Sequence, residues 1–522
     1  MNKIASVIVS CIALIVLLHG SSRAVISNHN TDRQVWRMVQ DRAKDTVVQL
    51  FVQTSIFNWL QPFKAPDHKL SFGSGFFIDD QGHFISNFHV VDQACDIKIQ
   101  IPSCGKEQFN AHIVGVCPDR DIALLKLTKD AYRRVTARLG TIPFLTFGDS
   151  DQVLRTQEIL ALGYPLRQEK LKSTQGIVSG REIYKGESYI QITAALNPGN
   201  SGGPSVLGGK GLVVGINTAR MRTAQNIGYI IPSNDVKSII RDLYTIKLLR
   251  TPTLGCEFTY GTPHLTRFLG NPEPGGLYVS RVSENTLLAK AGMQEGDMLY
   301  SINDYRLDAY GEANVPWGED KVPVSALLNR FVLGDVVRVS FYRNGVLHSN
   351  NTRFELLPEP PIRRYYPGFE KVPYQIIGGM VIMPLALNHL ATFERRDKRV
   401  ARTLYKYAQQ EHQYAPRLVV THVFPASQVQ ESRSLQVGDL ITQVNGQPVC
   451  TLDELQKAFK SAFDNASSTK LITLKTEDKK LIVLSIDRMV RDELRLSKQY
   501  RYKKSALVAH LEQRKSSQML LQ

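Results

Sequence analysis

Cysteine is scarce, six in 522 residues, and Cys11 among them falls in the N-terminal apolar run. The other five, Cys95, Cys104, Cys117, Cys256 and Cys450, are odd in number and scattered. That pattern argues against a disulfide framework and offers no zinc site, so no metal is expected. Cys95 and Cys104 bracket a strand-like run, residues 96–101. Along an extended strand they would stand about 30 Å apart and cannot bond. A hairpin near Cys104 would instead bring Cys95 close to Cys117, the one disulfide to test in an oxidising compartment.

Other absences narrow the class further. No Walker-type phosphate loop is present, so ATP-driven chemistry is not expected, and no motif calls for a cofactor. No zinc-finger or RNP-like motif accompanies the formal charge of +16, which argues against specific nucleic-acid binding. The positive charge is spread out, with concentrations at 394–402 and 491–515. A solvated basic surface that leans weakly on an anionic membrane or polymer fits this better. No low-complexity tract indicates disorder. Beyond residues 4–18 no apolar run approaches a membrane span.

That first run follows Met-Asn-Lys and precedes Ser22 and Ala24, small residues suited to cleavage after Ala24. Residues 1–24 read as a Sec-type export signal. The periplasm is the expected compartment, with the mature chain peripheral to a membrane at most.

At this length two to four domains are expected. Short β-rich segments dominate from Thr46 onward: 47–52, 75–78, 83–85, 97–101, 111–116, 122–127, 159–162, 177–178, 189–193, 212–217 and 227–230. Strands at that spacing predict an all-β barrel or sandwich, closed by an amphipathic helix over 234–249. Two later blocks share the pattern G-D-x-[LI]-x-x-[IV]-N, at 296–303 and 438–445, each with an apolar strand upstream. This is an internal repeat. A proline-rich linker at 357–361 lies between them.

The chemistry-bearing stretch is Asn-Pro-Gly-Asn-Ser-Gly-Gly-Pro around Ser201. A glycine-rich turn can be mere surface, or it can aim backbone amides at a reacting carbonyl beside a nucleophile. A nucleophilic serine needs a histidine to take its proton and a carboxylate to orient that histidine. His89 and Asp121 are the candidates; Asp119 competes, but Asp121 directly precedes the apolar run 122–125, where a carboxylate is shielded. The order His, Asp, Ser is that of chymotrypsin-type barrels.

These residues, with Gly73-Ser74-Gly75-Phe76, Ser86-Asn87-Phe88-His89, Asp121-Ile122-Ala123-Leu124-Leu125 and Gly228-Tyr229-Ile230-Ile231-Pro232, resemble the HtrA/Deg serine endoproteases. The C-terminal half looks most like their plant-organelle branch. The resemblance implies a mainly β chain: a chymotrypsin-like double β-barrel (25–249), a PDZ domain (253–352), a proline-rich linker (353–371), a second PDZ-like α+β domain (372–490) with an insertion at 390–416, and a basic tail (491–522). It implies an oxyanion hole from the amides of Gly199 and Ser201 and a first pocket lined by Leu196, Ile216, Asn217 and Thr218. With no acid there, cleavage is expected after small or medium aliphatic residues. Where the family usually has Asp-Ala-Ala, this chain has Thr193-Ala194-Ala195. Digestive relatives carry Asp at the place of Asn200, which pairs with a new N-terminus after zymogen cleavage. Asn cannot form that pair, so activation is expected from loops 167–174 and 220–226.

Leu254, Gly255, Cys256, Glu257 and Phe258 are expected to capture peptide C-termini by strand addition, whereas the second PDZ-like domain is expected to serve assembly. The implied partners are unfolded or misfolded proteins, and the implied assembly a homotrimer or a multiple of it. The resulting function is ATP-independent endoproteolysis in protein quality control. A chaperone that holds unfolded chains and cleaves little is the alternative.

Overall fold

The computed structural model describes residues 36–505 except 38, 42, 185, 209–210, 219–226 and 465–470, together with 508–509. The expected leader 1–24 and loop 220–226 lie outside the described residues, as does most of 506–522. The chain divides into two compact units, Met1–Gln53 with Leu70–Leu357 and Thr54–Lys69 with Pro358–Gln522.

In the first unit, six strands close a barrel: β1 (Val47–Ile56), β2 (Asp67–Phe77), β3 (His83–Ser86), β4 (Ala94–Gln100), β5 (Gln108–Cys117) and β6 (Ile122–Leu127), ordered β1-β2-β3-β6-β5-β4. A second barrel is built from β7 (Glu158–Gly163), β8 (Lys172–Tyr184), β9 (Glu187–Ile192), β10 (Pro204–Leu207), β11 (Val213–Thr218) and β12 (Gly228–Pro232). Closure pairs every strand and leaves no free edge. The two form a chymotrypsin-like double barrel with one shared core: Phe76, Ile85 and Leu124 from the first barrel meet Leu162, Val206 and Ile216 from the second. The helix Ser233–Leu243 seals it with Val236, Ile239 and Leu243. It is shorter than the expected 234–249, because the next residues run along β5, Leu249 donating its N–H to the Val116 carbonyl at 2.8 Å.

The expected approach of Cys95 to Cys117 does not occur. The chain does turn near Cys104, but Ile97 pairs with Ala111 and Gln100 with Gln108, so continuing that register puts Cys95 opposite Ile113. Four residues of strand, about 13 Å, then separate it from Cys117. Both thiols are free, and burial pushes that of Cys117 up to about 12.

The same unit continues into an antiparallel sheet of β13 (Cys256–Tyr260), β14 (Leu277–Val282), β15 (Met298–Ile302), β16 (Tyr305–Arg306), β19 (Val336–Arg343) and β20 (Val346–Arg353). A small ribbon of β17 (Glu312–Ala313) and β18 (Val322–Pro323) leads into the helical segment Val324–Leu327. In order β13-β14-β15-β19-β20, β13 is an outer strand paired with β14 alone.

The second unit repeats this plan in β21 (Gln375–Ile377), β22 (Met380–Pro384), β23 (Leu418–Val423), β24 (Leu440–Val444), β25 (Gln447–Pro448), β26 (Leu471–Thr476) and β27 (Leu481–Ser485). The repeated G-D…N pattern has one structural meaning in both sheets. Asp297 and Asp439 accept the backbone N–H three residues upstream, from Gln294 and Gln436. Asn303 and Asn445, both at positive φ, accept the N–H of Arg338 and Thr473 on the neighbouring strand. An asparagine tolerates the left-handed turn that this grip needs.

The insertion 390–416 folds into the helices Leu387–Arg396 and Lys398–Leu404 and two further short helical turns, Tyr405–Ala408 and Gln410–Gln413. It is more than a solvated helix, because Phe393, Leu404 and Tyr407 are buried with Met383, Val419 and Leu440. Phe57, Trp59 and Leu60, from the connection between β1 and β2, pack on the same cluster. Phe63 lies 5.0 Å from Phe424. The basic stretch after 490 is not a tail up to Tyr500: the helix Ile486–Tyr500 buries Met489, Val490 and Leu496, and with them the carboxylates of Asp492 and Glu493. Among the described residues no helix is long and apolar enough to cross a membrane.

Candidate active site

His89 sits in the short helix Phe88–Val91, whose Phe88, Val90 and Val91 are buried and fix its orientation. The Asp121 carbonyl ties this helix down, accepting from the N–H of Phe88 at 3.1 Å and from the Asn87 amide at 3.1 Å. Asp121 takes φ +55° at the end of a turn closed by its own N–H on the Pro118 carbonyl. That unusual backbone, tolerated by Asp better than by branched residues, turns its carboxylate back onto the histidine. Oδ1 accepts the His89 backbone N–H at 2.9 Å, and Oδ2 lies 2.7 Å from His89 Nδ1. An ionised carboxylate only accepts, so Nδ1 carries the proton and Nε2 is left as the basic nitrogen. Asp121 is 2% exposed and the His89 side chain 27%, so the pair is shielded on one side and open on the other. The competing Asp119 faces elsewhere and accepts the Thr251 N–H.

Ser201 lies on the turn before β10 and is 4% exposed. The turn is held by Asn200 N–H on Asn197, Gly203 N–H on Asn200 and Gly202 N–H on the Asn217 carbonyl, at 2.9–3.0 Å. Gly73 links it to the histidine helix: a Cβ there would stand 2.6 Å from Val90 Cγ1 and 3.2 Å from the Ser201 carbonyl. The structure thus brings the His89 helix, the Asp121 turn and the Ser201 turn to the seam between the barrels.

The expected pocket residues divide. Leu196 packs over Gly228, where an added Cβ would lie 3.0 Å from its Cγ, and Thr218 ends β11. Ile216 is committed to the shared core. The Asn217 side chain accepts the Ser205 hydroxyl at 2.7 Å and donates to the Leu162 carbonyl at 2.9 Å. The two neighbours thus point to opposite faces of the sheet, Ile216 spent on the core and Asn217 on Ser205 and Leu162.

Arg120 carries a role that no sequence motif announced. It is 3% exposed, and its guanidinium donates to the Asp235 carbonyl, the Ser238 hydroxyl at 2.7 Å and the Asn329 carbonyl. The Asn329 amide in turn donates to Glu187 at 3.0 Å, and Arg330 pairs with Asp151 at 2.8 Å. Burial pushes Glu187 up to about 7 and Asp235 to about 6, against the neighbouring arginines.

At the β13 end, Gly255 takes φ +74° and a Cβ would fall 2.0 Å from Thr286 Cβ. Leu254 is buried, while Cys256, Glu257 and Phe258 run along the outer strand. In the second sheet the matching strand β22 is not outer, because β21 pairs with it through Gln375–Ile382, Ile376–Val381 and Ile377–Met380.

Residues 73–216 match the trypsin-like peptidase domain, and residues 366–506 match a PDZ domain. The chain is 33% identical over 280 residues to the periplasmic serine endoprotease DegP of Escherichia coli K12, covering 52% of this chain and 56% of that one. It is 30% identical to a probable periplasmic serine endoprotease DegP-like of Marinomonas sp., covering 58% and 61%. To the serine protease Do-like HtrA of Bacillus subtilis it is 29% identical, covering 58% and 67%. The match spans less than two thirds of the Escherichia and Marinomonas proteins. A solved structure of the HtrA-type protease AlgW with tripeptide aligns at TM-score 0.47 and 25% identity, over 62% of this chain and 97% of that one. The chain thus carries a trypsin-like peptidase domain followed by a PDZ domain and is similar to proteins of the DegP and HtrA type.

Proposed function

We propose that the chain is an ATP-independent serine endopeptidase that degrades unfolded or damaged exported proteins. The observation that carries this reading is the His89–Asp121 pair, with both carboxylate oxygens engaged and Nε2 left basic, on the same seam as the Ser201 turn. His89 takes the Ser201 proton as the hydroxyl attacks the scissile carbonyl, and Asp121 stabilises the imidazolium that results. The amides of Gly199 and Ser201 receive the oxyanion, an acyl-enzyme forms, and water releases it. Leu196 and Thr218 bound an apolar first pocket, so cleavage follows small or medium aliphatic residues. A holding chaperone would have no use for a shielded, oriented histidine.

The two PDZ-like sheets divide the work. The outer strand β13 accepts a peptide C-terminus as an added strand. In the second sheet β21 already fills that edge, so this domain serves assembly, into a trimer or a multiple of it. The names of the relatives support export and a periplasmic site. Labelling by a fluorophosphonate tests the catalytic reading: stoichiometric modification at Ser201, lost in His89→Ala, is expected. Labelling elsewhere, or unchanged in His89→Ala, would refute it.

A further inference from the structure

Asn200 is 4% exposed and cannot make the buried ion pair that braces this turn in digestive relatives, so other groups must hold the amides in place. Four consecutive carbonyls of the turn are pinned. The Leu166 N–H bonds the Pro198 carbonyl at 2.7 Å, and the Gly203 N–H bonds that of Asn200 at 3.0 Å. In a trans peptide the N–H points opposite to its C=O, so these two bonds aim the N–H groups of Gly199 and Ser201. The other two carbonyls are both held by Ser74. Its hydroxyl donates to the Gly199 carbonyl at 2.7 Å, and its backbone N–H donates to the Ser201 carbonyl at 2.8 Å.

Every polar group of Ser74 is in use. Its Oγ also accepts the Tyr164 N–H at 2.9 Å, and its carbonyl accepts the Ser86 hydroxyl at 2.8 Å. The residue is fully buried. Packing leaves it no freedom: a Cβ on Gly202 would fall 2.2 Å from the Ser74 carbonyl, and one on Gly163 2.9 Å from its Oγ. The hydroxyl therefore joins the 164–166 segment to the turn in one geometry.

We propose that Ser74 is a positioning residue for the oxyanion hole, its hydroxyl fixing the Gly199–Asn200 peptide so that the flanking amides converge. This rests on Ser201 being the nucleophile. The test uses the full chain with an aliphatic fluorogenic peptide and a peptide boronate, whose tetrahedral adduct reads the oxyanion hole. In Ser74→Ala, kcat is expected to fall about 100-fold, near the loss for a missing oxyanion donor. KM should hold, the boronate Ki should rise by the same factor, and the acid limb of the pH profile should stay in place. Ser86→Ala, which also loses a buried hydroxyl bond but does not touch Gly199, should keep kcat within about threefold, since the oxyanion donors are intact. If Ser74→Ala does not fold, Ser74→Cys, with a weaker donor, decides the matter by a smaller loss of the same signature. An unchanged kcat and Ki in the folded variant, or equal losses in Ser74→Ala and Ser86→Ala, would overturn the assignment. Cleavage surviving in Ser201→Ala would instead overturn the protease reading beneath it.

Discussion

Asp121 holds His89 twice, once through the backbone N–H and once through Nδ1 at 2.7 Å. The carboxylate thus fixes the position of the helix as well as the tautomer of the ring. Asp121→Asn is expected to lower kcat by about 10⁴, because an amide can present its NH₂ to Nδ1 and stabilise the wrong tautomer. Asp119→Asn should leave peptide hydrolysis unchanged. Steady-state rates of the two variants check this, and equal losses would contradict it.

Glu187 provides a pH prediction. Burial holds its carboxyl at about 7, above its ordinary value, so the fold favours the protonated form. The associated stability is fully present below the ordinary carboxyl range and is lost as pH rises through about 7. Glu187→Gln should therefore raise Tm at pH 8 and change it little at pH 5. A larger gain at pH 5 would reverse the sign.

Gly255→Ala tests the first PDZ-like groove. The new methyl would collide with Thr286 at a backbone conformation that alanine disfavours. Affinity for a hydrophobic C-terminal peptide should fall at least about tenfold, as expected for a distorted main-chain site. Calorimetry of the wild-type chain should find one peptide site per chain. Two sites, or full affinity in the variant, would mean that the β21-filled edge also binds.

Phe63 belongs with the second unit although it lies between two barrel strands in sequence. Phe63→Ala should destabilise that unit by about 2 kcal/mol, below the range for a fully buried ring because Phe63 is only half-buried. Faster hydrogen exchange in β21 and β22 would register the loss, and unchanged exchange there would contradict it.

Much of this was legible in the residues, and the exceptions have physical causes. The β-rich runs of β1, β5 and β6 announced the first barrel, and His89 and Asp121 stood out because chemistry restricts what can sit beside them. Strand β10 did not, since Pro204 and three glycines nearby read as a turn, and only closure of the second barrel makes it a strand. Ile216 and Asn217 were placed in the pocket by position, but the alternation of β11 spends their side chains on the core and on Ser205. Arg120 and Phe63 have no local signature, because the partners named for them lie more than 100 residues away in sequence.

The central claim is tested most directly by cleavage of reduced casein, comparing the wild-type chain with Ser201→Ala, each with and without a hydrophobic C-terminal peptide. The account predicts cleavage by the wild type after aliphatic residues and none by the variant. Absence of cleavage in all conditions, with both proteins suppressing aggregation equally, would contradict it and leave a chaperone.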